Sequence, residues 1–230
     1  MSELQTGHRK PRVPLWLALA VTVVGLVLIA LAVAAQVRAP VPPRSVGSID
    51  ASPSTAPAAS AAGATTAPVT RPLRASPPLT ISIPSVGVHS EVKPIGLAND
   101  GTLAVPQPGP DENKAAWFTR SPTPGQPGPS IIEGHVDTTS GPSVFFELGK
   151  LRPGNKVEVT RKDGVVAVFT IHAVRDYSKS AFPTETVYGA KDLSRPELRL
   201  ITCSDFNAST GHHEGNEVVF AHLTATRARR

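Results

Sequence analysis

Cysteine is almost absent from this sequence, since its 230 residues include only one, Cys203. A single cysteine has no partner within the chain, so an intrachain disulfide framework is excluded. Aromatic residues are also few, at 5%, and no stripe of basic residues interleaved with aromatics accompanies the net charge of +5, which disfavours nucleic-acid binding. Proline, by contrast, occurs 24 times, which indicates that part of the chain is not globular.

Charge is missing from residues 15–35, where every residue is apolar or small and Thr22 carries the only hydroxyl. As a helix this run would be roughly 31 Å long, enough to span a bilayer. A cleaved signal peptide is the alternative, because Ala32, Ala34 and Ala35 resemble a small-x-small cleavage site. The apolar core of a signal peptide is shorter, however, at about 7–15 residues. We therefore predict an uncleaved transmembrane helix over residues 15–35.

The residues that flank this run predict its orientation and the organisation of the chain. Basic residues before it outnumber those just after it, so residues 1–14 are predicted to be a cytoplasmic tail. Residues 36–78 are rich in Pro, Ala, Ser and Thr and have almost no large apolar residue, which predicts a disordered linker. We thus expect a single-pass protein of the cell membrane, with an extracellular domain over residues 79–226.

The extracellular domain has the pattern of a mainly β protein. Residues 79–83 alternate with period two, and the Asp163-Gly164 pair between the alternating runs 156–161 and 165–174 is a strong hairpin signal. Further strands are predicted over 198–203 and 217–223, whereas residues 106–129 are predicted to form a long irregular loop and 144–151 a turn or two of helix. About eight short strands with one or two short helices predict an eight-stranded, closed β-barrel.

The single cysteine lies at the end of the predicted strand 198–203. Period two puts Arg199, Ile201 and Cys203 on one face and Leu198, Leu200 and Thr202 on the other, and either face could point inward. An isolated cysteine is often a small buried hydrophobe. An unpaired thiol outside the membrane is also a candidate reactive group, and His135 offers a base for it.

Several motifs in order resemble those of the sortase family, in the form found in actinobacteria and grouped as class E or F. They are Leu-Thr-Ile-Ser-Ile-Pro at 79–84, Gly-His-Val-Asp at 134–137, Gly-Pro-Ser-Val-Phe-Phe-Glu-Leu at 141–148, Leu-Arg-Leu-Ile-Thr-Cys at 198–203 and Asn-Glu-Val-Val-Phe-Ala at 216–221. The resemblance implies an eight-stranded barrel and a cysteine transpeptidase or endopeptidase without a cofactor. Such an enzyme cleaves secreted proteins at a C-terminal sorting signal and joins them to a cell-wall or pilin amine.

The resemblance also implies roles for individual residues. Cys203 would attack the sorting signal and form a thioester, and His135 would protonate the leaving amine and deprotonate the incoming one. Thr202 matches the threonine that shapes the substrate site. The structural alternatives are that His135 is a loop histidine paired with Asp137, and that Thr202 is an ordinary strand residue.

One position departs from the family pattern. The family arginine that steadies the acyl oxyanion aligns with Glu214 or Asn216, and neither is cationic. Asn216 could still donate a neutral hydrogen bond to the oxyanion or the substrate. Arg199 would lie roughly 13 Å from Cys203 along the strand, and Arg120 and Arg175 stay open as substitutes.

Other histidines support no separate site in the sequence. His212 and His213 would point to opposite faces of a strand, so the segment 212–214 is predicted to be a solvated turn rather than a metal site. His172 and His222 are predicted to be structural residues of strands.

Two functions are consistent with these residues. The first is a transpeptidase, and the alternative is a catalytically weakened or non-catalytic surface module that binds sorting-signal peptides. A different type of cell-wall transpeptidase is disfavoured, because such enzymes carry their histidine and cysteine close together.

Overall fold

The computed structural model describes residues 39–40, 46–49 and 71–229. These form eleven strands, one short α-helix and three 3-10 turns. The strands are β1 (Val46–Gly47), β2 (Pro78–Ile83), β3 (Val88–Ile95), β4 (Ala115–Phe118), β5 (Gly128–Glu133), β6 (Asp137–Thr138), β7 (Gly141–Pro142), β8 (Lys156–Arg161), β9 (Val165–Ser178), β10 (Pro196–Asn207) and β11 (His212–Ala228). The helix α1 spans Thr184–Tyr188, and the 3-10 turns span Pro84–Val86, Leu148–Lys150 and Lys179–Ala181.

Eight of the strands close into a barrel. Their order is β9-β11-β10-β5-β4-β3-β2-β8, and β8 pairs again with β9. The pairs β3–β4 and β5–β10 are parallel, and the others are antiparallel. This arrangement confirms the predicted eight-stranded β-barrel. It also makes β5 and β10 direct neighbours although they are far apart in the sequence.

The alternation along β10 separates the barrel interior from its outer face. Leu198 and Leu200 are fully buried and belong to the main hydrophobic core. Ile201 belongs instead to a second, smaller cluster outside the barrel, together with Ile131, Val187 and Phe220. Since side chains alternate along a strand, Cys203 points to the same outer face as Ile201. The sequence left both orientations open, and packing decides between them.

The hairpin predicted at Asp163-Gly164 is present between β8 and β9, with Gly164 at a φ of 81° that favours glycine. The loop predicted over residues 106–129 contains the strand β4 instead, which pairs with both β3 and β5. The four residues of β4 include two adjacent alanines, so they show no clear alternation of apolar and polar side chains. The strand is therefore determined by pairing with β3 and β5 rather than by its local sequence. The helix predicted over 144–151 is limited to the 3-10 turn Leu148–Lys150.

Part of the predicted linker 36–78 is described, and it contacts the barrel. Val46 and Gly47 pair with Val174 and Ala173 of β9. The Leu73 amide donates to the Gly125 carbonyl at 2.8 Å, and the buried Ser76 amide donates to Thr123 at 3.0 Å. The packed domain therefore extends to the N-terminal side of residue 79.

Arg161 holds this N-terminal extension in place. Its side chain is fully buried and donates to the carbonyls of Pro124 and Arg74 and to the Asp163 carboxylate. One guanidinium thus joins the end of β8 to the segment before β2 and to the loop before β5.

No helix among residues 39–40, 46–49 and 71–229 is long and apolar enough to cross a membrane. The predicted cytoplasmic tail 1–14 and transmembrane helix 15–35 lie outside the described residues.

Candidate active site

The parallel pair β5–β10 brings His135 next to Cys203. The last paired residues of these strands are Glu133 and Ile201. The contact continues beyond them, because the Gly134 amide donates to the Ile201 carbonyl at 3.2 Å and the Thr202 hydroxyl donates to the Gly134 carbonyl at 2.8 Å. The next residue on each side is His135 and Cys203. Neighbouring strands lie about 4.8 Å apart, so these two residues are adjacent at the outer face.

Gly134 is needed at this junction for its lack of a side chain. A Cβ atom there would lie 2.6 Å from a methyl group of Val144 and 2.8 Å from the Phe145 ring. Phe145 is fully buried, and its amide donates to the His135 carbonyl at 3.0 Å. The chain therefore passes tightly over the core immediately before His135, which fixes the backbone of the histidine.

The His135 ring contacts a loop rather than the thiol in this conformation. Its Nε2 atom lies 2.8 Å from the carbonyl oxygen of Pro106. No hydrogen bond joins His135 to Cys203 within the described part of the chain. The structural alternative pairs His135 with Asp137, but the Asp137 carboxylate is hydrogen-bonded to His213 at 2.9 Å.

Cys203 is half-buried and has no disulfide partner. Burial raises the pKa of its thiol, and the carboxylates of Asp137 and Glu133 raise it further, while the Lys179 ammonium opposes these effects. A thiolate is the reactive form of cysteine. The local charges around the sulfur therefore decide how much of it is reactive.

Asn216 lies directly across from Cys203 on the neighbouring strand β11, and Tyr177 of β9 lies across from Asn216. Facing residues of antiparallel strands share a face, so Asn216 points to the outer face beside the thiol. Glu214, the other candidate for the arginine position, is exposed and accepts a hydrogen bond from Asn207 at 2.6 Å. Of the two, Asn216 is the one that lies next to Cys203.

Glu133 is a site residue that the sequence analysis missed. It lies on β5 on the same outer face, only 6% of it is exposed, and its Oε1 atom has no hydrogen-bond partner among the described residues. Burial raises the pKa of this carboxyl to about 8. The only sign of Glu133 in the sequence is its position, as a carboxylate that ends an apolar segment directly before Gly134.

The connection between β9 and β10 covers part of the outer face. Phe182 packs edge-on against Tyr177, with ring centroids 6.0 Å apart, and Val187 of α1 is fully buried. Beneath this connection is a cavity of about 610 Å³ whose lining includes His172, Arg199, Phe220 and His222. Arg199 and Cys203 lie on the same face of β10, roughly 13 Å apart. Cys203 does not line this cavity, and the buried Ile201 lies between Arg199 and the thiol on this face.

Two of the three arginines considered from the sequence are engaged elsewhere, and the third, Arg120, is exposed in the turn after β4. Arg199 is buried, paired with Glu197 and stacked 4.6 Å from the centre of the Phe220 ring. Arg175 donates to the carbonyls of Val46 and Gly47 at 2.7 and 2.6 Å. Neither guanidinium is turned toward Cys203.

The remaining histidines have structural contacts. His172 and His222 lie in β9 and β11 with ring centroids 5.3 Å apart, and burial lowers the pKa of both, that of His222 to about 4. His213 was predicted to lie in a solvated turn. It lies instead in β11 and is hydrogen-bonded to Asp137. Within the described ranges, no group of three or more His, Cys, Asp or Glu residues could hold a metal ion.

Comparison with known proteins identifies this arrangement. A sequence profile of the sortase domain matches residues 81–224, which is more than half of the chain. Sortase C-1 from Actinomyces oris has a similar fold, with a TM-score of 0.50 at 17% identity over 64% of this chain and 73% of that chain. Sortase C-3 from Streptococcus pneumoniae also gives a TM-score of 0.50 at 17% identity, over 68% and 67% of the two chains. At these identities the likeness lies in the fold. No curated protein sequence matches the chain.

Proposed function

Because the chain belongs to the sortase family, we propose that it is a membrane-anchored cysteine transpeptidase of the cell surface. Its substrates are secreted proteins with a C-terminal sorting signal, and its acceptor is an amine of a peptidoglycan precursor or of a pilin. The order of the sequence motifs favours the actinobacterial class E or F type. The apolar run 15–35 is the proposed anchor, with the N-terminus in the cytoplasm and the barrel outside.

The proposed reaction has two steps that share one thioester. The Cys203 thiolate attacks the carbonyl carbon of the scissile amide, and the C–N bond breaks as His135 gives a proton to the leaving amine. The acceptor amine then loses a proton to His135 and attacks the thioester, which forms the new amide and releases the thiolate. The support for this assignment is the parallel register of β5 and β10, which continues through Gly134 and Thr202.

This chemistry requires one local rearrangement. The His135 Nε2 atom is hydrogen-bonded to the Pro106 carbonyl, so the ring must leave Pro106 to serve the leaving amine. Thr202 holds the backbone before His135 and is proposed to keep the ring within reach of the thiol. Asn216 is proposed to donate to the oxyanion, because it faces Cys203 from β11.

The alternative is a non-catalytic module that binds sorting-signal peptides. It is favoured by the uncharged residue at position 216 and by the raised pKa of the Cys203 thiol. The retained Cys203 and His135 favour the enzyme.

The two functions are separated by incubating the full chain, in detergent, with a panel of fluorogenic sorting-signal peptides. We expect cleavage that is abolished in Cys203→Ala and reduced at least about 100-fold in His135→Gln, together with a thioester adduct in intact mass spectra. If the peptides bind equally well to the wild type and to Cys203→Ala, with no adduct and no cleavage in either, the binding module is the function.

A further inference from the structure

The environment of Cys203 is unfavourable for a thiolate unless a cation is supplied. The thiol is half-buried, the carboxylates of Asp137 and Glu133 add to the rise in its pKa that burial causes, and His135 is hydrogen-bonded to Pro106. Asn216, on the strand opposite, carries no charge. Desolvation and nearby carboxylates both disfavour the charged form of a thiol. A reactive thiolate at this position therefore requires a positive group that approaches the sulfur from another element.

Such a group comes from the end of β9. Ser178, the last residue of β9, pairs with Gly215, and Gly215 pairs with Ser204, the residue after Cys203. The end of β9 thus lies level with the thiol, two strands away, or about 10 Å. Immediately after Ser178 the chain leaves the sheet in the 3-10 turn Lys179–Ala181. Lys179 is exposed in this turn, so its long side chain is within reach of the outer face, and the charge of its ammonium opposes the rise in the pKa of the Cys203 thiol that burial causes.

The Lys179 ammonium is free to perform this role. No carboxylate within the described residues forms an ion pair with it, whereas four other lysines, Lys93, Lys114, Lys150 and Lys156, contact a carboxylate or a hydroxyl. Arg175 and Arg199 are engaged by backbone carbonyls and by Glu197, respectively. Lys179 is therefore the cation that faces the sulfur from the described part of the chain.

We propose that Lys179 is a catalytic residue that takes the place of the missing arginine, by stabilising the Cys203 thiolate and then the oxyanion formed when the thiolate attacks. The first part of this proposal concerns the thiol alone, and the second part rests on the proposed transpeptidase function. An ammonium is a compact point charge that presents no planar fork of donors. The ammonium can therefore stabilise first the thiolate sulfur and then the oxyanion, because neither interaction needs a fixed bidentate geometry. The cation is thereby carried by the connection between β9 and β10, and not by the barrel strand β11.

The first test uses thiol alkylation, which needs no peptide substrate. The full chain is treated with iodoacetamide between pH 6 and pH 10, and the mass of the intact protein is followed. Because Cys203 is the only cysteine, each added group reports on it alone. In Lys179→Met we expect an upward shift of the thiol pKa by about one unit, and about tenfold slower alkylation at pH 7.5.

Two variants make this test specific. Lys179→Arg keeps the charge and should stay within about threefold of the wild type. Lys162→Met removes an exposed lysine from the β8–β9 turn and should leave the profile unchanged. The proposal is overturned if the Lys179→Met profile superimposes on those of the wild type and Lys162→Met. Far-UV circular dichroism and thermal melting confirm that each variant is folded.

The second test separates this proposal from the function on which it partly rests. Rates of thioester formation with the sorting-signal peptides are divided by the alkylation rates at the same pH. A larger loss in thioester formation than in alkylation supports contact with the oxyanion, and equal losses overturn that part. If the wild type forms no thioester but Lys179→Met still alkylates more slowly, the transpeptidase function fails and the stabilisation of the thiolate by Lys179 stands.

Discussion

At the scale of single residues, the site differs from its family in the group opposite the thiol. Asn216 can donate one neutral hydrogen bond where an arginine would supply a charge and several donors. A neutral donor that points at an oxyanion still contributes to the rate, because in a desolvated site it strengthens as charge develops. In the proposed mechanism, Asn216 supplies a directed hydrogen bond and Lys179 supplies the positive charge, and together they replace one guanidinium.

This division predicts the effect of Asn216→Ala. We expect thioester formation with sorting-signal peptides to slow by about 10–100-fold, since one oxyanion donor is lost. Alkylation of Cys203 should change less than threefold, because the charge near the sulfur is unaltered. Asn99→Ala, at an exposed loop position, is the control. Unchanged thioester formation in Asn216→Ala would remove Asn216 from the mechanism.

Lys179 and Glu133 show why the site was only partly predictable. His135 and Cys203 belong to motifs, and their order along the chain was informative. Lys179 belongs to none, since it lies in the turn after a 14-residue strand, and only the register of β9, β11 and β10 brings that turn level with the thiol. Nothing in the sequence indicates that the carboxyl of Glu133 is buried, because its burial depends on the packing of the closed barrel.

At the scale of elements, the site depends on the tie between β5 and β10. The backbone ladder between these strands ends at Glu133 and Ile201, and the Thr202 hydroxyl continues it by donating to the Gly134 carbonyl. Thr202 is 4% exposed, so this bond is shielded from water. The buried Thr202 side chain therefore fixes the position of the backbone immediately before His135.

Replacing Thr202 tests this tie. Thr202→Val removes the hydroxyl and leaves a buried carbonyl without its donor, which should lower the free energy of unfolding by about 1–3 kcal/mol. Thioester formation should also slow by about tenfold or more because His135 loses its support. Thr202→Ser keeps the hydroxyl and should restore most of the rate. Urea unfolding and stopped-flow acylation measure the two effects, and equal losses of rate in Val and Ser would contradict the role of the hydroxyl.

Strands of the barrel were predictable to different degrees for physical reasons. The hairpin β8–β9 was predicted because its turn and its alternation are both local. The strand β4 was missed because Ala115 and Ala116 show no alternation of apolar and polar residues. Its parallel partner β3 is also too far away in the sequence to form a local pattern with it. Residues 71–77 were assigned to the linker, although the buried guanidinium of Arg161 anchors them through the Arg74 carbonyl. Contacts of this kind depend on the closed barrel and leave no local pattern.

At the scale of the whole molecule, two buried carboxyls reduce stability near neutral pH. Glu133 lies on the outer face and Glu217 on β11, where they are 6% and 3% exposed. Burial raises the pKa of each to about 8, with Asp176 adding to the effect at Glu217. Their pKa in the unfolded chain is about 4.3. Between these values the folded state holds protons that the unfolded state has released, so the free energy of unfolding falls as the pH rises.

We therefore predict that Glu133→Gln and Glu217→Gln flatten this pH dependence. Each substitution should raise the free energy of unfolding at pH 8 relative to the wild type, by on the order of 1–4 kcal/mol, and have little effect at pH 4.5. Urea titrations at these two pH values measure the difference. Glu112→Gln, in the loop before β4 where the side chain is only half-buried, is the control. A gain that is equal at both pH values would show that buried ionisation is not the cause.

The parallel pairing of β5 with β10 also affects the rate at which the site forms during folding. Thr202 and Gly134, which join the two halves of the site, are 68 positions apart, and β10 must enter between β5 and β11 before they meet. Contacts this distant in sequence form slowly, because a large loop loses its freedom before any pairing compensates for it. Cys203 and His135 thus come together only after β5 and β10 have paired, so we expect the proposed active site to form late in folding.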